Sequence, residues 1–263
     1  MEKIDRDISS YRNQLVRYAR DLNKAVIDGQ KARKLGDGLK SQLSRYAQDF
    51  KKVYKDLLKS YNDLKEAQLE TIYRLAVAAE YRDEDTATHL KRMSNYAAII
   101  AKGMGLSEKE VELILYTSPM HDVGKIGIPD NILFKPGKLT PEEFEVIMNH
   151  CVIGVRILSG SKSEMILMAE EIALTHHEKW NGQGYPQGLK RRNIPLVGRI
   201  TAVADVFDAL TTKRPYKSAF PNEKAFSIIR EERGSHFDPQ VVDVFFQNIN
   251  DIIEIQQQLQ EEE

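Results

Sequence analysis

The side chains in this sequence best suited to chemistry are five histidines that fall between residues 85 and 180. One of them, His121, is followed directly by Asp122, inside the segment Pro-Met-His-Asp-Val-Gly-Lys-Ile-Gly-Ile-Pro that runs from Pro119 to Pro129. Imidazole and carboxylate ligands together suit divalent cations of borderline or hard character. Because a single His-Asp pair is most often a surface or helix-end contact, the pair alone does not establish a metal site.

The remaining histidines and one further acid lie on segments that have helical periodicity. His89 falls on the inward stripe of a helix that ends near Gly103, and Asp205 falls on a helix from about Leu196 to Leu210. Helical bundles build multinuclear metal sites from carboxylates and imidazoles that project inward from different helices. The sequence therefore predicts a metal centre made of seven residues, which are His89, His121, Asp122, His150, His176, His177 and Asp205.

The helices that carry these residues have recognisable starts. Ser107 to Glu110 and Thr140 to Glu143 are capping boxes, and Pro141 suits the first helical position of the second one. A further helix, from about Glu164 to His177, ends in the His-His pair, and shorter helices are predicted near 222–232 and 239–249, with Asp238 as a cap. No strand pattern competes with them, so the predicted fold class is all-α.

A heptad pattern precedes these helices and predicts a coiled coil. Two arrangements are compatible with it, a continuous rod that dimerises or a hairpin that folds back near residues 29 to 38. The heptad phase is kept across Gly29 and Gly36, which favours the rod and a parallel homodimer. The heptad positions are Ile4, Ile8, Tyr11, Leu15, Tyr18, Leu22 and Ala25, then Leu39, Leu43, Tyr46, Phe50, Val53, Leu57, Leu64 and Ala67.

The overall composition is that of an ordinary globular protein. Of the 263 residues, 41% are hydrophobic, and 38 basic residues balance 39 acidic ones. Near-neutral charge argues against nucleic acid polymers or anionic lipid as partners. Cys151 is the single cysteine, which excludes an internal disulfide, and with no signal peptide or membrane-spanning run in the sequence we expect a cytoplasmic location. Cys151 itself is interpreted as a buried small hydrophobic residue.

From about Arg82 to Phe245 the sequence resembles the HD-GYP family of metal-dependent phosphohydrolases, which are bacterial cyclic-dinucleotide phosphodiesterases. The segments that carry the resemblance are Arg82-Asp83 through Thr86 and His89 to Arg92, His121-Asp122-Val-Gly-Lys125, His150 with Gly154, His176-His177-Glu178, Gly182-Gln-Gly184-Tyr185-Pro186, Ala204-Asp205-Val-Phe-Asp208-Ala209-Leu210 and Arg214-Pro-Tyr-Lys217. The resemblance implies an HD-domain helical bundle after a long N-terminal coiled-coil helix. The expected divisions are a coiled-coil signalling region at 1–70, a phosphodiesterase domain at 71–255 and a polar, fraying tail at 256–263.

The resemblance also implies roles for particular residues. Asp122, with His121, His150, His176, His177 and Asp205, would hold two divalent metals, iron or manganese, and His89 with Asp85 would complete a third site. Asp85 is one methylene shorter than the Glu usual in the family, but residues four apart share a helix face. A second departure is Asn181, where the family commonly has Asp, and loop hydrogen bonding is expected there.

The expected reaction is hydrolysis of cyclic di-GMP to the linear dinucleotide, with further hydrolysis to GMP as an open alternative for the final product. Asp122 and Lys125 would be catalytic, with Lys125 against a substrate phosphate, while Tyr185, Arg214 and Lys217 would contact the substrate. The alternatives are a sensing module with little catalysis, and a hydrolase of another nucleotide such as mixed cyclic GMP-AMP. A diguanylate cyclase or another signalling protein is a possible partner for the N-terminal helix.

Overall fold

The computed structural model describes residues 2–27, 32–80, 87–212 and 219–260, and within these ranges it has no strand. It confirms the predicted all-α class. The helices are α1 (Glu2–Ile27), α2 (Ala32–Glu80), α3 (Ala87–Gly103), α4 (Glu108–Thr117), α5 (Asp130–Leu133), α6 (Pro141–Met148), α7 (His150–Leu158), α8 (Glu164–Thr175), α9 (Leu196–Thr211), α10 (Asn222–Glu231), α11 (Pro239–Gln247) and α12 (Ile249–Gln260). Short 3-10 helices cover Ser118–Met120, Val123–Gly127 and Arg191–Asn193.

The predicted helix starts are confirmed. The Ser107 hydroxyl accepts from the backbone N–H of Glu110, and the Glu110 carboxylate accepts from the backbone N–H of Ser107. Thr140 and Glu143 form the same reciprocal pair at the start of α6. Asp238 accepts from the backbone N–H of Gln240 and caps α11. Each such cap stabilises its helix by about 1 kcal/mol.

The chain divides into two compact units, Met1–Lys65 and Glu66–Glu263. In the first unit the predicted continuous rod is wrong, because the chain forms a hairpin of α1 and α2. The rings of Tyr18 and Tyr46 stack with their centroids 3.6 Å apart, so α1 and α2 lie side by side. Residues 28–31 lie outside the described ranges.

The physical reason is that an antiparallel helix pair also uses a heptad seam, so the preserved phase does not distinguish a hairpin from a rod. A short connection brings the second helix alongside at a small loop-closure cost, without a second chain. The side chains that line the grooves between the two helices include Leu22, Ala25, Leu39, Tyr46 and Val53.

The second unit has two hydrophobic clusters. The larger one joins α3, α4 and α9 to α11 and α12, and the rings of Tyr96 and Phe245 pack edge-on against Phe207 in it. The smaller one packs Ala76 and Ala79 of α2 against residues that include Leu90, Met120 and Val123. Each large apolar side chain buried in this way contributes about 1.5–3 kcal/mol. The two clusters hold the helices that carry the predicted ligands.

At the C-terminal end the structure differs from the expected fraying tail. Helix α12 continues to Gln260, and Gln256 is buried and accepts a hydrogen bond of 2.8 Å from the side-chain amide of Asn222. The polar residues from Gln256 onward therefore belong in part to the packed unit. Among the described helices, none combines the length and the hydropathy needed to cross a bilayer.

Candidate metal centre

His121 and Asp122 lie in a tight turn between two 3-10 helices rather than on a long helix. The backbone N–H of His121 donates to the carbonyl of Ser118, and the N–H of Lys125 donates to the carbonyl of Asp122. A Cβ added to Gly124 would lie 1.9 Å from the backbone oxygen of His150. The turn can therefore rest on the start of α7 only because residue 124 is glycine, and this close approach places Asp122 beside His150.

The first group of potential ligands surrounds Asp122. One ligand atom from each of Asp122, His150, His176 and His177 lies within 4.8 Å of the others. The Oδ1 atom of Asp122 is 3.1 Å from Nε2 of His150 and 3.5 Å from Nε2 of His176. These residues come from the turn after α4, from the start of α7 and from the C-terminal end of α8. Three imidazoles and a carboxylate form a donor set that suits a divalent transition metal.

The second group adjoins the first. One ligand atom from each of His89, His121 and Asp205 lies within 4.8 Å of the others. The Oδ1 atom of Asp205 is 3.9 Å from Nε2 of both His89 and His121. Nε2 of His121 is also 3.2 Å from Oδ2 of Asp122. The carboxylate of Asp122 therefore faces both groups, one through each oxygen.

Backbone carbonyls orient three of the rings. Nδ1 lies 2.9 Å from the carbonyl of Ser118 in His121, 2.7 Å from that of Ile147 in His150, and 3.0 Å from that of Ile172 in His176. A carbonyl oxygen only accepts, so each Nδ1 carries the proton and donates it. This leaves Nε2 of the neutral ring with its lone pair directed at the cluster, as in histidine ligands of metal sites.

His89 is oriented by a carboxylate that sequence reasoning did not assign to the site. Its Nδ1 lies 2.7 Å from Oδ2 of Asp208, which also accepts from Nε of Arg92 through Oδ1, at 2.7 Å. The Thr212 hydroxyl donates to the same carboxylate. The available signal was spacing, because His89 with Arg92 and Asp205 with Asp208 are both three residues apart and so share a helix face.

The buried donors fit a cation. Nε2 of His121 and Oδ1 of Asp122 have no hydrogen-bond partner among the described residues, although both atoms are buried. Unsatisfied buried polar atoms are costly and uncommon, and an ion is one of the accepted reasons for them. Together with four inward-directed imidazole nitrogens, these atoms form a cradle for divalent metal.

The electrostatics of these side chains also favour a bound cation. Burial alone lowers the pKa of His121, but the negative charge of Asp122 outweighs it and raises that pKa to about 10. Burial also lowers the pKa of His150, yet the carboxylate of Asp122, 3.1 Å from its Nε2, outweighs burial and raises that pKa to about 10. Burial raises the pKa of Asp122, but Lys125 and His121 hold it well below its usual range. Protons thus supply the positive charge that a metal would replace.

Lys125 and Tyr185, both predicted from the resemblance, border the cluster. Nζ of Lys125 is 2.7 Å from Oδ2 of Asp122, and the side chain is 15% exposed. The ring of Tyr185 lies 4.7 Å from that of His177 and 5.9 Å from that of Phe144, measured between centroids. Lys125 therefore stands over the carboxylate, and Tyr185 forms a wall beside the imidazoles.

The loop that carries Tyr185 is held by Glu178, a second residue that the sequence reasoning left without a role. Its two carboxylate oxygens accept from the backbone N–H groups of Gln187 and Leu189, at 2.7 and 2.8 Å. The side chain of Asn181 accepts from the N–H of Gln183, so the loop hydrogen bonding expected there is confirmed.

Three of the predicted site residues are not described by the structure. Asp85, Arg214 and Lys217 lie outside the described ranges, so their roles remain predictions. Cys151 is fully buried, as predicted, and its Sγ lies 3.4 Å from Nε2 of His150.

Comparison with known proteins gives these features a context. A family model described as HD domain matches residues 53–241. A relative in Thermotoga maritima named cyclic di-GMP phosphodiesterase is 44% identical over 221 residues, which cover 84% of this chain and 57% of the relative. A relative in Vibrio cholerae named 3'3'-cGAMP-specific phosphodiesterase 2 is 44% identical over 197 residues, which cover 75% of this chain and 38% of the relative.

The chain therefore spans less than two thirds of the length of either relative. Among solved structures, Bd1817 of Bdellovibrio bacteriovorus, described as an HDG"Y"P protein, superposes with a TM-score of 0.52 at 20% identity, over 94% of this chain and 80% of that one. That likeness concerns the fold alone. The family model matches most of the chain, and the His-Asp clusters and the motifs that carry the resemblance agree with it. This chain therefore belongs to the HD domain family, in its HD-GYP group.

Proposed function

We propose that the chain is a metal-dependent phosphodiesterase that hydrolyses cyclic di-GMP to the linear dinucleotide and onward to GMP. The observation that carries this proposal is the pair of adjoining ligand groups, which share the carboxylate of Asp122. The name of the Thermotoga relative supports the choice of substrate. We also propose that the reaction takes place in the cytoplasm. The single cysteine, Cys151, is a free, buried thiol, and thiols are kept reduced in that compartment.

The proposed metals are two or three divalent ions, iron or manganese, since imidazole and carboxylate mixtures suit both. Asp122, His150, His176 and His177 would hold one ion, and His89, His121 and Asp205 another. Asp85 is proposed to assist His89 at a third. When bound, such ions act as Lewis acids toward phosphoryl oxygens and lower the pKa of water.

Lys125 is proposed to neutralise the phosphate. An ammonium group is a compact point charge that can approach a non-bridging oxygen, where negative charge grows during the reaction. Its position 2.7 Å from Asp122 Oδ2 keeps it beside the cluster. Tyr185 would line the substrate pocket, and Arg214 and Lys217 would hold the remaining phosphate or the bases.

A mixed cyclic GMP-AMP is the second candidate substrate, because the Vibrio relative is named for cGAMP. The two compounds differ in one base, so residues of the rim rather than the metal cluster would discriminate between them. A sensing module with little catalysis is the third reading. The complete ligand set with Lys125 present argues against it, since a sensor does not need two adjoining metal groups.

Steady-state kinetics on both cyclic dinucleotides, with metal-replete protein kept reduced, test the proposal. Lys125→Ala should lower kcat by about 100-fold with a small change in KM, because its contact strengthens in the transition state. Arg214→Ala and Lys217→Ala should raise KM more than they lower kcat, because uniform binding is lost. Exposed Lys102→Ala is the control. If reconstituted wild type turns over neither compound, the phosphodiesterase proposal fails and the sensing reading replaces it.

We also propose a homodimer formed through the N-terminal unit. The hairpin leaves apolar side chains exposed at heptad spacing, which are Ile8 and Leu15 on α1 and Leu43, Phe50, Leu57 and Leu64 on α2. An exposed heptad stripe is typical of a helix that pairs with another chain.

A further inference from the structure

Glu80, near the C-terminal end of α2, has a buried carboxylate that the proposed mechanism does not use. The residue is 2% exposed, and its Oε1 has no hydrogen-bond partner among the described residues. Glutamates are almost never fully buried unless they are paired. The position of Glu80 therefore requires a reason outside the packing of the smaller hydrophobic cluster.

Among the described residues, the charged groups that influence Glu80 most belong to the metal centre or border it. Nζ of Lys125 lies 3.9 Å from Oε1 of Glu80, too far for a hydrogen bond but close enough for a strong attraction. Burial raises the pKa of Glu80 and the charge of Asp122 adds to this rise, whereas Lys125, and to a smaller extent His121 and His89, favour the charged carboxylate. Lys125 thus stands between two carboxylates, 2.7 Å from Asp122 and 3.9 Å from Glu80.

A metal bound by Asp122 would change which of these two carboxylates attracts the ammonium of Lys125 more strongly. The ammonium of Lys125 lies on Oδ2, an oxygen that a metal ion would use or closely approach. A divalent cation next to that ammonium repels it, and low local dielectric strengthens the repulsion. An anionic acceptor within a short movement would then stabilise the ammonium, and the unsatisfied oxygen of Glu80, 3.9 Å away, is about 0.7 Å beyond hydrogen-bond range.

We propose that Glu80 is a positioning residue that receives the ammonium of Lys125 when Asp122 binds metal, and holds it beside the cluster where a phosphate oxygen arrives. Glu80 would thereby lower the cost of placing a lysine next to two divalent ions. The inference rests on the proposed function, since it assumes that the cluster binds metal.

The test is a double-mutant cycle on Mn²⁺ affinity, measured by calorimetry on the full chain without nucleotide. The four proteins are wild type, Glu80→Gln, Lys125→Met and the double variant. Glu80→Gln should weaken Mn²⁺ binding at least tenfold, because the side chain at position 80 then carries no negative charge to attract the ammonium of Lys125 away from Asp122. In the Lys125→Met background the same change should cost less than threefold, since the ammonium is already gone. Glu171→Gln, on the exposed side of α8, is the matched control and should have no effect.

Each other outcome contradicts the inference. Equal large losses in both backgrounds would mean that Glu80 binds metal directly, and no loss in either would mean that it has no role toward Lys125. Lys125→Met alone should tighten Mn²⁺ binding at least threefold, which remains measurable if Glu80→Gln does not fold, and an unchanged affinity would overturn the idea. If wild type takes up neither Mn²⁺ nor Fe²⁺, the proposed function and this inference fall together. Binding without the predicted coupling removes the inference only.

Discussion

At the scale of single residues, the protonation of the imidazoles around Asp122 makes a measurable prediction. The pKa values of His121 and His150 are raised to about 10 without metal, so both rings are positively charged, with a proton on each nitrogen, at neutral pH. Metal ligation requires neutral imidazoles. Mn²⁺ binding at pH 7.5 should therefore release about two protons per chain, and affinity should fall as pH is lowered. Calorimetry in buffers of different ionisation enthalpy measures this number, and zero release would contradict the prediction.

Asp208 offers a second residue-scale prediction. Its carboxylate orients His89 and pairs with Arg92, and both partners are buried. Asp208→Asn removes the negative charge from the buried ion pair with Arg92, and breaking comparable buried pairs costs about 3–5 kcal/mol. We expect a lower Tm and the loss of metal from the His89 group, with metal at the Asp122 group retained.

The matched control for this change is Asp243→Asn. Asp243 also forms a bidentate pair with an arginine, Arg233, but both side chains are about half exposed. Solvent-exposed ion pairs contribute little, so Tm and metal content should stay near those of wild type. Thermal unfolding and elemental analysis provide both readouts. Similar effects of the two variants would mean that Asp208 has no special role at His89.

At the scale of the elements, the contact between the Val123–Gly127 turn and α7 decides where Asp122 meets His150. Gly124→Ala would place a Cβ 1.9 Å from the His150 oxygen and 2.5 Å from the Gly154 nitrogen, both backbone atoms. The turn must therefore move away from α7. We expect a loss of at least about 2 kcal/mol in the free energy of unfolding and a clear drop in Mn²⁺ affinity.

Gly38→Ala is the control for this prediction. An added Cβ at Gly38 meets no atom within 4 Å, and the residue lies inside α2. Alanine should stabilise this helix by up to about 1 kcal/mol and leave metal binding unchanged. Chemical denaturation with and without chelator separates the two effects. An unaffected Mn²⁺ affinity in Gly124→Ala would show that the ligands do not depend on this contact.

At the scale of the whole molecule, the exposed heptad stripe of the N-terminal unit predicts self-association. Phe50 and Leu57 are 60% and 50% exposed, and burying such side chains is the main favourable term in association. The double change Phe50→Glu with Leu57→Glu should convert a dimer into a monomer without loss of metal. Light scattering measures the mass, and exposed Lys55→Glu is the control. A wild type that stays monomeric at micromolar concentration would contradict the homodimer.

Much of this protein follows from the sequence because it depends on local physics. Capping boxes and apolar periodicity predict the helices, since both act within one or two turns. The seven His and Asp residues of the cluster could be selected by residue type and by their inward positions. The structure brings these seven together in two adjoining groups.

The tertiary structure decided what depends on distant partners. His89 and Asp208 are 119 residues apart in the chain, and only the packing of α3 on α9 makes them a pair. In the sequence, Glu80 looks like an ordinary polar residue near the end of a helix. Its burial beside Lys125 is visible only in the folded unit. The hairpin was missed for a related reason. A heptad seam fits a second helix equally well whether that helix comes from another chain or from the same one, so the pattern cannot specify its partner.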